Sequence, residues 1–185
     1  MGRKAFVRQR ILEAAFDLIA REGFEAVSTR DIARAAKVGP ASMFKHFATK
    51  EELARELYRL ALAPVLVGFA GLSAEASSPR EVVRGAVRQL YALYDERPRA
   101  LALLIFPPHE ITPWEIDRAN PASARAVLQR LIGGDEDLAA IVWGAMTGPL
   151  QDRYLNRRQG TMAPVAEAHA ARIAALIPRA SGAAT

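Results

Sequence analysis

Apolar residues recur along this chain at the three- and four-residue spacing of amphipathic helices, whereas the alternation typical of strands is nearly absent. In residues 4–22, for example, Val7, Ile11, Ala15 and Leu18 fall on one helical face. Of the 185 residues 51% are hydrophobic, which is enough to bury a core. The pattern predicts an all-α fold.

Helix-start signals set the boundaries of these elements. Ser28-x-x-Asp31 and Thr49-x-x-Glu52 have the form of a capping box, and several prolines stand where a first helical turn would begin. The Gly-Gly pair at 133–134 ends one helix before the next. The predicted helices cover residues 4–22, 29–36, 40–46, 50–73, 79–96, 98–106, 113–132 with a break near 120, 135–157 and 162–177.

The first three predicted helices form a compact unit with a protruding third helix. Helix 29–36 turns Ile32 and Ala33 toward a core, Val38 fills a tight turn, and helix 40–46 is short. Pro64 lies inside the long predicted helix 50–73, so we expect a kink there. Such a kink either transmits motion along the helix or simply adapts its shape.

Charge is distributed unevenly along the chain. Residues 1–50 hold ten Lys/Arg against five Asp/Glu and include all four lysines, whereas residues 51–185 hold fifteen of each sign. The whole net charge of +5 therefore belongs to the first quarter. This asymmetry is typical of a nucleic-acid-binding head on a neutral body, although a basic solvated face would give the same count.

Several classes of protein do not fit the sequence. The longest apolar stretch, residues 60–72, is shorter than the ~20 residues that span a bilayer, and Arg8, Arg10 and Glu13 interrupt any signal peptide. There is no Cys, no nucleophile elbow, no Gly-rich phosphate loop and no His-Glu-x-x-His motif. We expect a soluble cytoplasmic protein that is not an enzyme, with no membrane partner, no cofactor and no metal.

One set of residues occurs in a fixed order at fixed spacing: Ile11-Leu12-x-Ala14-Ala15-x-x-Leu18, Gly23-Phe24, Thr29-x-Asp31-Ile32-Ala33-x-x-Ala36-x-Val38, and Phe44-x-His46-Phe47-x-x-Lys50-x-x-Leu53. By these motifs, which cover about a quarter of the chain, it resembles the TetR family of bacterial transcriptional regulators. The resemblance implies a helix-turn-helix DNA-binding domain at 1–49, a helical ligand-binding and dimerisation domain at 50–178 joined to it by a long helix, and a flexible tail at 179–185.

The resemblance also implies a function. We expect a ligand-responsive regulator, in the simplest case a repressor, that binds a palindromic double-stranded operator as a homodimer. A small, largely apolar effector would release it from DNA. The alternative is an architectural or low-specificity DNA-binding protein without an effector.

Within the head, helix 40–46 would read base edges while flanking cations hold phosphates. The residues expected at DNA are Thr29, Arg30, Lys37, Pro40, Ala41, Ser42, Phe44, Lys45, His46 and Lys50. Several of them have alternatives. Thr29 could be a helix cap, Phe44 a core residue beside Phe47, and His46 the partner of a backbone group. Arg30 and Lys50 could be ordinary solvated charges, and Lys45 could contact either a guanine edge or a phosphate.

Three positions depart from the family pattern. Lys37 stands in the turn where Gly is usual, and a non-Gly residue in a left-handed conformation costs about 1 kcal/mol. Gly39 replaces the Ser or Thr that usually precedes the third helix. Phe44 replaces a Tyr whose hydroxyl would meet a phosphate.

The body carries the expected effector site and dimer surface. The candidate ligand residues are Tyr91, Tyr94, Phe106, His109, Trp114, Trp143 and Met146, although aromatic residues at helical spacing are usually core. The last two predicted helices are rich in small residues that permit close packing, and in this family they form the dimer interface. These small residues are Ala139, Ala140, Ala145, Ala168, Ala170, Ala171 and Ala174.

Overall fold

The computed structural model describes residues 2–106, 123–157 and 159–178, except for the side chains of residues 3 and 73–75. In that part of the chain the regular structure is entirely helical, which confirms the all-α fold. None of the helices described is long and apolar enough to cross a membrane. The helices are α1 (Arg3–Glu22), α2 (Thr29–Ala35), α3 (Pro40–Phe44), α4 (Lys50–Glu75), α5 (Pro79–Glu96), α6 (Pro98–Ile105), α7 (Ala124–Leu131), α8 (Glu136–Tyr154) and α9 (Ala163–Ala174).

Most of these helices lie within a few residues of their predicted bounds. The exception is α7, which begins at Ala124 because Ser123 caps it, whereas the predicted helix 113–132 had its break near residue 120. The earlier part of that predicted helix, residues 113–122, lies outside the described residues, as does the tail at 179–185. Helix α4 is continuous through Pro64, and a kink at that position stays a prediction.

The predicted capping residues explain why the early helices start where they do. Ser28 Oγ accepts from the Asp31 N–H while the Asp31 carboxylate accepts from the Ser28 N–H, which completes a capping box. Thr49 Oγ1 accepts from the Glu52 N–H at 3.1 Å. The Glu52 carboxylate accepts from the Ala48 N–H at 2.7 Å, one residue earlier than a capping box requires.

The described residues fall into two compact units. The first comprises 2–62 and 97–106, and the second comprises 63–96, 123–157 and 159–178. This structural division differs from the functional boundary expected at residue 49, which stays a prediction. The change from one unit to the other occurs inside α4, one residue before Pro64.

The first unit is built around a continuous apolar core. Helix α1 packs against α2 and α6, and α2 packs against α3. Ile11, Ile32, Met43, Phe47 and Leu53 are each at most 2% exposed. Burial of such side chains contributes roughly 1.5–3 kcal/mol each, so this core fixes the helices of the unit relative to one another.

A carboxylate joins α1 to α4 within this unit. Glu56 accepts from Arg8 at 2.7 Å and from Arg59 at 2.7 and 2.9 Å, and its side chain is 15% exposed. The hydrogen bonds from Arg59 and then Arg8 outweigh desolvation and lower the pKa of Glu56 from 4.5 to about 2. The Arg8 guanidinium also lies 5.0 Å from the centre of the Phe47 ring.

The second unit is organised around α5. Helix α9 packs along α5, α7 packs on α8, and α8 contacts both α5 and α9. The buried Tyr91 hydroxyl lies 2.9 Å from His169 Nδ1. The Asp95 carboxylate accepts from the N–H groups of Met162 and Ala163 at 2.8–2.9 Å, so a residue of α5 caps the start of α9.

Helix α5 also approaches α4 closely in this unit. A Cβ added at Gly68 would lie 1.5 Å from Gln89 Nε2, so glycine is required for the observed position of that side chain. Gln89 Nε2 donates to the carbonyl of Pro64 at 3.1 Å. The glycine thus makes room for a hydrogen bond beside the proline of α4.

We predict that Glu56→Gln destabilises the protein at neutral pH and that the effect fades in acid. Because the folded pKa is depressed, the contribution is complete above pH 4.5 and is lost as the pH falls toward about 2. At about 1.4 kcal/mol per pKa unit the upper bound is about 3.5 kcal/mol, and we expect about 1–2 kcal/mol because both arginines are exposed.

The measurement is the free energy of unfolding in urea for both proteins across this pH range. Glu22→Gln is the matched control, since its contact with Arg21 is 3.7 Å long and lies on the surface. The control should change stability by a few tenths of a kcal/mol at most. A difference for Glu56→Gln that stays constant down to the lowest pH would contradict the assigned role of the ion pair.

Candidate functional site

Helices α2 and α3 are joined by a tight turn centred on Lys37. This residue adopts φ 52°, which confirms the left-handed conformation expected there. The Lys37 N–H donates to the Arg34 carbonyl at 3.0 Å, and the Val38 N–H donates to the Ala33 carbonyl at 2.9 Å. These bonds close the end of α2 and set the direction in which the chain enters α3.

The turn is also held from outside by α1. The Arg10 guanidinium donates to the carbonyls of Ala36 and Lys37, the latter at 3.3 Å. The last carbonyls of a helix have no intrahelical donor, so the arginine satisfies groups that would otherwise face solvent. This role of Arg10 could not be predicted from the sequence, because no local pattern links residues that lie 26 and 27 positions apart.

Helix α3 buries one side and exposes the other. Met43 is 1% exposed and faces the core, whereas Pro40, Ala41 and Lys45 are exposed. Phe44 is 53% exposed, so the alternative that placed it in the core is wrong. The core aromatic residue is Phe47, three positions further on.

The remaining polar candidates around α3 are half-exposed. Ser42 and His46 have intermediate exposure, and so does Thr29. Ser28 caps α2, so Thr29 is the first helical residue and the alternative that made it the cap is wrong. Gly39 precedes α3 with an extended backbone and provides no side-chain cap, as its sequence indicated.

Five lysines and arginines lie in residues 29–50, and four of them have no ion-pair partner among the described residues. Arg30, Lys37 and Lys45 are exposed and form no ion pair with any other described residue. Lys50 Nζ instead lies 4.1 Å from the centre of the Phe24 ring, an attractive cation–π position that leaves the charge uncompensated. The segment 29–50 thus presents positive charge around a protruding short helix.

The fifth cation of this segment, Arg34, has its charge compensated by a carboxylate. Arg34 pairs with Asp31 at 3.2 Å. The hydrogen bonds from Ser28 to the Asp31 carboxylate, with a smaller contribution from Arg34, lower its pKa from the ordinary value. The carboxylate therefore stays ionised as part of the capping box.

Three of the five ligand candidates that the structure describes lie in the core of the second unit. Tyr91, Tyr94 and Met146 are at most 5% exposed, and burial raises the pKa of the Tyr94 phenol. Trp143 on α8 is half-buried. Phe106 follows α6 in the first unit and is 40% exposed.

Two of the ligand candidates, His109 and Trp114, lie outside the described residues. A cleft of about 480 Å³ in the second unit is lined by other side chains: Ser78, Pro79, Arg80, Ile132, Asp135, Leu138, Ile177 and Pro178. Among the described residues, no group of three or more His, Asp or Glu side chains could hold a metal ion. A ligand site at the aromatic residues stays a prediction.

Comparison with known proteins identifies the head. Residues 11–57, which contain α2, the Lys37 turn and α3, match the family model described as bacterial regulatory proteins of the tetR family. This segment carries the sequence signature of the TetR family. Members of the family are DNA-binding transcriptional regulators and not enzymes, which is the class predicted from the sequence.

Two mycobacterial proteins are similar to part of this chain. The HTH-type transcriptional repressor KstR2 of Mycobacterium tuberculosis is 33% identical over 78 residues, which are 42% of this chain and 39% of that protein. The HTH-type transcriptional repressor Rv3405c of the same species is 51% identical over 43 residues, 23% of each chain. The chain therefore spans well under two thirds of the length of the curated relatives it matches.

Solved structures share the fold over a much longer range. The transcriptional regulator FadR from Bacillus subtilis, determined in complex with stearoyl-CoA, superposes with a TM-score of 0.76 at 14% identity over 92% of this chain and 99% of that one. FadR from Bacillus halodurans gives a TM-score of 0.74 at 13% identity, covering 90% and 97%. At identities of 13–14% these two superpositions establish the fold alone.

We predict that Lys45→Ala weakens binding to duplex DNA and flattens its salt dependence. If Lys45 neutralises one phosphate, the slope of log affinity against log salt falls by about 0.9, the counterion-release value for one contact. The measurement is a fluorescence-anisotropy titration at several salt concentrations. Arg84→Ala is the matched control, since Arg84 is an exposed arginine on α5 outside the head and its removal should leave the slope unchanged. An unchanged slope for Lys45→Ala would remove this residue from the DNA interface.

Proposed function

We propose that this protein is a ligand-responsive repressor that binds a palindromic operator as a homodimer and is released by a small, largely apolar effector. The observation that carries the proposal is the TetR-family head with its exposed α3 flanked by uncompensated cations. In this proposal residues 1–49 bind DNA, residues 50–178 bind the effector and dimerise, and 179–185 form a flexible tail. The protein would act in the cytoplasm, where the chromosome lies.

The proposed DNA contacts divide by chemistry. Arg30, Lys37, Lys45 and Lys50 would hold phosphates, and helix α3 would enter the major groove. One head of this size offers few base contacts. Two heads related by a twofold axis would occupy successive major grooves ~34–36 Å apart, which is why the proposal includes a dimer.

The surface of the second unit supports dimerisation. On α8 the exposed face carries Ala140, Gly144 and Ile141, of which Ile141 is 59% exposed. On α9 the exposed face carries Ala168 and Ala171. Small side chains beside an exposed isoleucine form a surface on which a second copy can pack closely.

Not all of the small residues named from the sequence belong to that face. Ala139, Ala170 and Ala174 are at most 2% exposed and pack inside the unit. The prediction that these three residues lie at the dimer surface is therefore wrong. Ala145 is half-buried. Helical spacing alone did not separate the inward alanines from the outward ones, because both faces of these helices are rich in alanine.

The class of effector is supported by the fold and by the burial of the aromatic residues. FadR from Bacillus subtilis, which shares the fold, binds stearoyl-CoA in its structure. In the second unit Tyr91, Tyr94 and Met146 are buried in an apolar interior. The half-buried Trp143 lies on the same helix as Met146. A long acyl chain, free or as a thioester, is the kind of apolar effector we propose.

The experiment begins with selection of duplexes from a random pool by the purified protein. We expect an inverted repeat with half-sites about one helical turn apart. Stearoyl-CoA, stearic acid and free CoA are then added to the complex with the selected duplex. An effector should lower operator affinity by roughly 5–150-fold, the usual range of allosteric coupling, and should raise the melting temperature of the protein.

The outcomes separate the parts of the proposal. If no sequence is enriched and random duplex competes equally, the architectural alternative is correct and the repressor function is wrong. Free CoA is the control without an acyl chain. If an operator is selected but neither stearoyl-CoA nor stearic acid binds or changes the operator affinity, the acyl-chain class of effector is wrong while operator binding stands.

We predict that Gly144→Arg converts the dimer to a monomer without unfolding it. A Cβ added at Gly144 meets no described atom within 4 Å, so the arginine is accommodated in one copy but projects into the proposed partner. Gly71→Arg is the matched control, because Gly71 is an equally open glycine on α4. Light scattering at micromolar concentration should report a monomer for Gly144→Arg and a dimer for the control and the wild type. Wild-type dimerisation of Gly144→Arg would exclude this face as the interface.

A further inference from the structure

The side chains available for reading bases around α3 are unusual in one respect. The side chains that read base edges in the major groove are Arg or Lys for guanine, Asn or Gln for adenine, and Asp or Glu for cytosine. Of these residue types the segment from Gly39 to His46 contains only Lys45, which holds a phosphate in the proposed function. Its polar side chains are limited to Ser42, Lys45 and His46, and Ser42 and His46 are only half-exposed.

What α3 exposes instead is mainly apolar. Pro40, Ala41 and Phe44 are exposed and lie within one arc of the helix, while Met43 on the opposite side is 1% exposed. Phe44 is 53% exposed although it is a large aromatic residue in a well-packed unit. An apolar face kept open to water at the tip of a basic head indicates a surface that becomes covered by its partner.

The charge around this face indicates which partner covers it. Lys45 directly follows α3, Lys37 lies in the turn before it and Arg30 lies on α2; all three are exposed and form no ion pair with any other described residue. The polyanionic backbone of a duplex complements these cations, whereas an apolar protein surface would leave the charges unmatched. Inside the major groove, the apolar group that a duplex offers is the C5-methyl of thymine.

We propose that α3 recognises its operator chiefly through thymine methyl groups, which pack against Pro40, Ala41 and Phe44. This inference rests on the proposed DNA-binding function and adds the chemistry by which the sequence is selected. Lys45 and the other cations then supply affinity that does not depend on sequence. The absence of a hydroxyl on Phe44 fits this division, since the ring packs on methyl groups and donates no hydrogen bond to phosphate.

The test replaces thymine by deoxyuridine in the selected operator, one half-site position at a time. This change removes only the methyl group and keeps base pairing and the O4 acceptor. At each contacted position the affinity should fall about fourfold, the fold-change that corresponds to burying one methyl-sized group at about 0.8 kcal/mol. Replacement of thymines in the flanking sequence is the control and should have no effect.

Two protein variants identify the residues involved. Phe44→Ala should bring the thymine-to-uracil affinity ratio toward one at the position it contacts, because the variant has lost its side of the contact. Lys45→Ala is the matched comparison, and it should weaken both duplexes equally while the ratio stays unchanged. Because Phe44 is already exposed, its replacement leaves the core intact, and circular dichroism checks the fold of both variants.

The outcomes distinguish this inference from the function on which it rests. If selection enriches no sequence, the proposed repressor function fails first. If an operator is selected but every uracil substitution leaves affinity unchanged, the operator function stands and thymine-methyl readout is wrong. A fourfold loss that persists in Phe44→Ala, Ala41→Gly and Pro40→Ala alike would also overturn the assignment to this face.

Discussion

The arrangement of the DNA-binding head depends on the left-handed conformation of a single residue, Lys37. With φ at 52°, the backbone reverses within a few residues, so α3 leaves α2 with Met43 inward and Phe44 outward. In this conformation a lysine is strained by about 1 kcal/mol, whereas a glycine would not be. The surroundings compensate: backbone bonds from Lys37 and Val38 close α2, and Arg10 binds the carbonyls at its end.

Helix α1 acts as the common support of this head. Through Arg10 it holds the turn, through Arg8 it reaches Glu56 of α4, and through Ile11 it contributes to the core. The two arginines lie two positions apart, so they diverge to different neighbours and connect elements that are distant in sequence. Arg30, Lys37 and Lys45 form no ion pair with any other described residue, and the proposed DNA would supply negative charge to them.

The second unit combines a buried aromatic interior with an exposed face of small residues. Its interior is filled by apolar and aromatic side chains of α5, α8 and α9, while the outer faces of α8 and α9 carry small residues and an exposed isoleucine. Asp95 and the Tyr91–His169 contact tie α9 to α5 by polar bonds that helical periodicity does not reveal. A buried aromatic set and an open alanine-rich face are the features that an effector and a second copy would respectively use.

The sequence by itself determined most of the helices, because apolar spacing and caps such as the Ser28 capping box act within a few residues of one another. The head and its left-handed turn at Lys37 were expected from the resemblance to the TetR family, whose motifs occur at fixed spacing. Only the tertiary structure decided that Phe44 is exposed while Phe47 is buried, that Ala139 and Ala170 face inward while Ala140 and Ala171 face outward, and that Arg10 holds the turn. Each of these depends on which helix packs against which, and contacts between residues far apart in sequence leave no periodic signal in either segment.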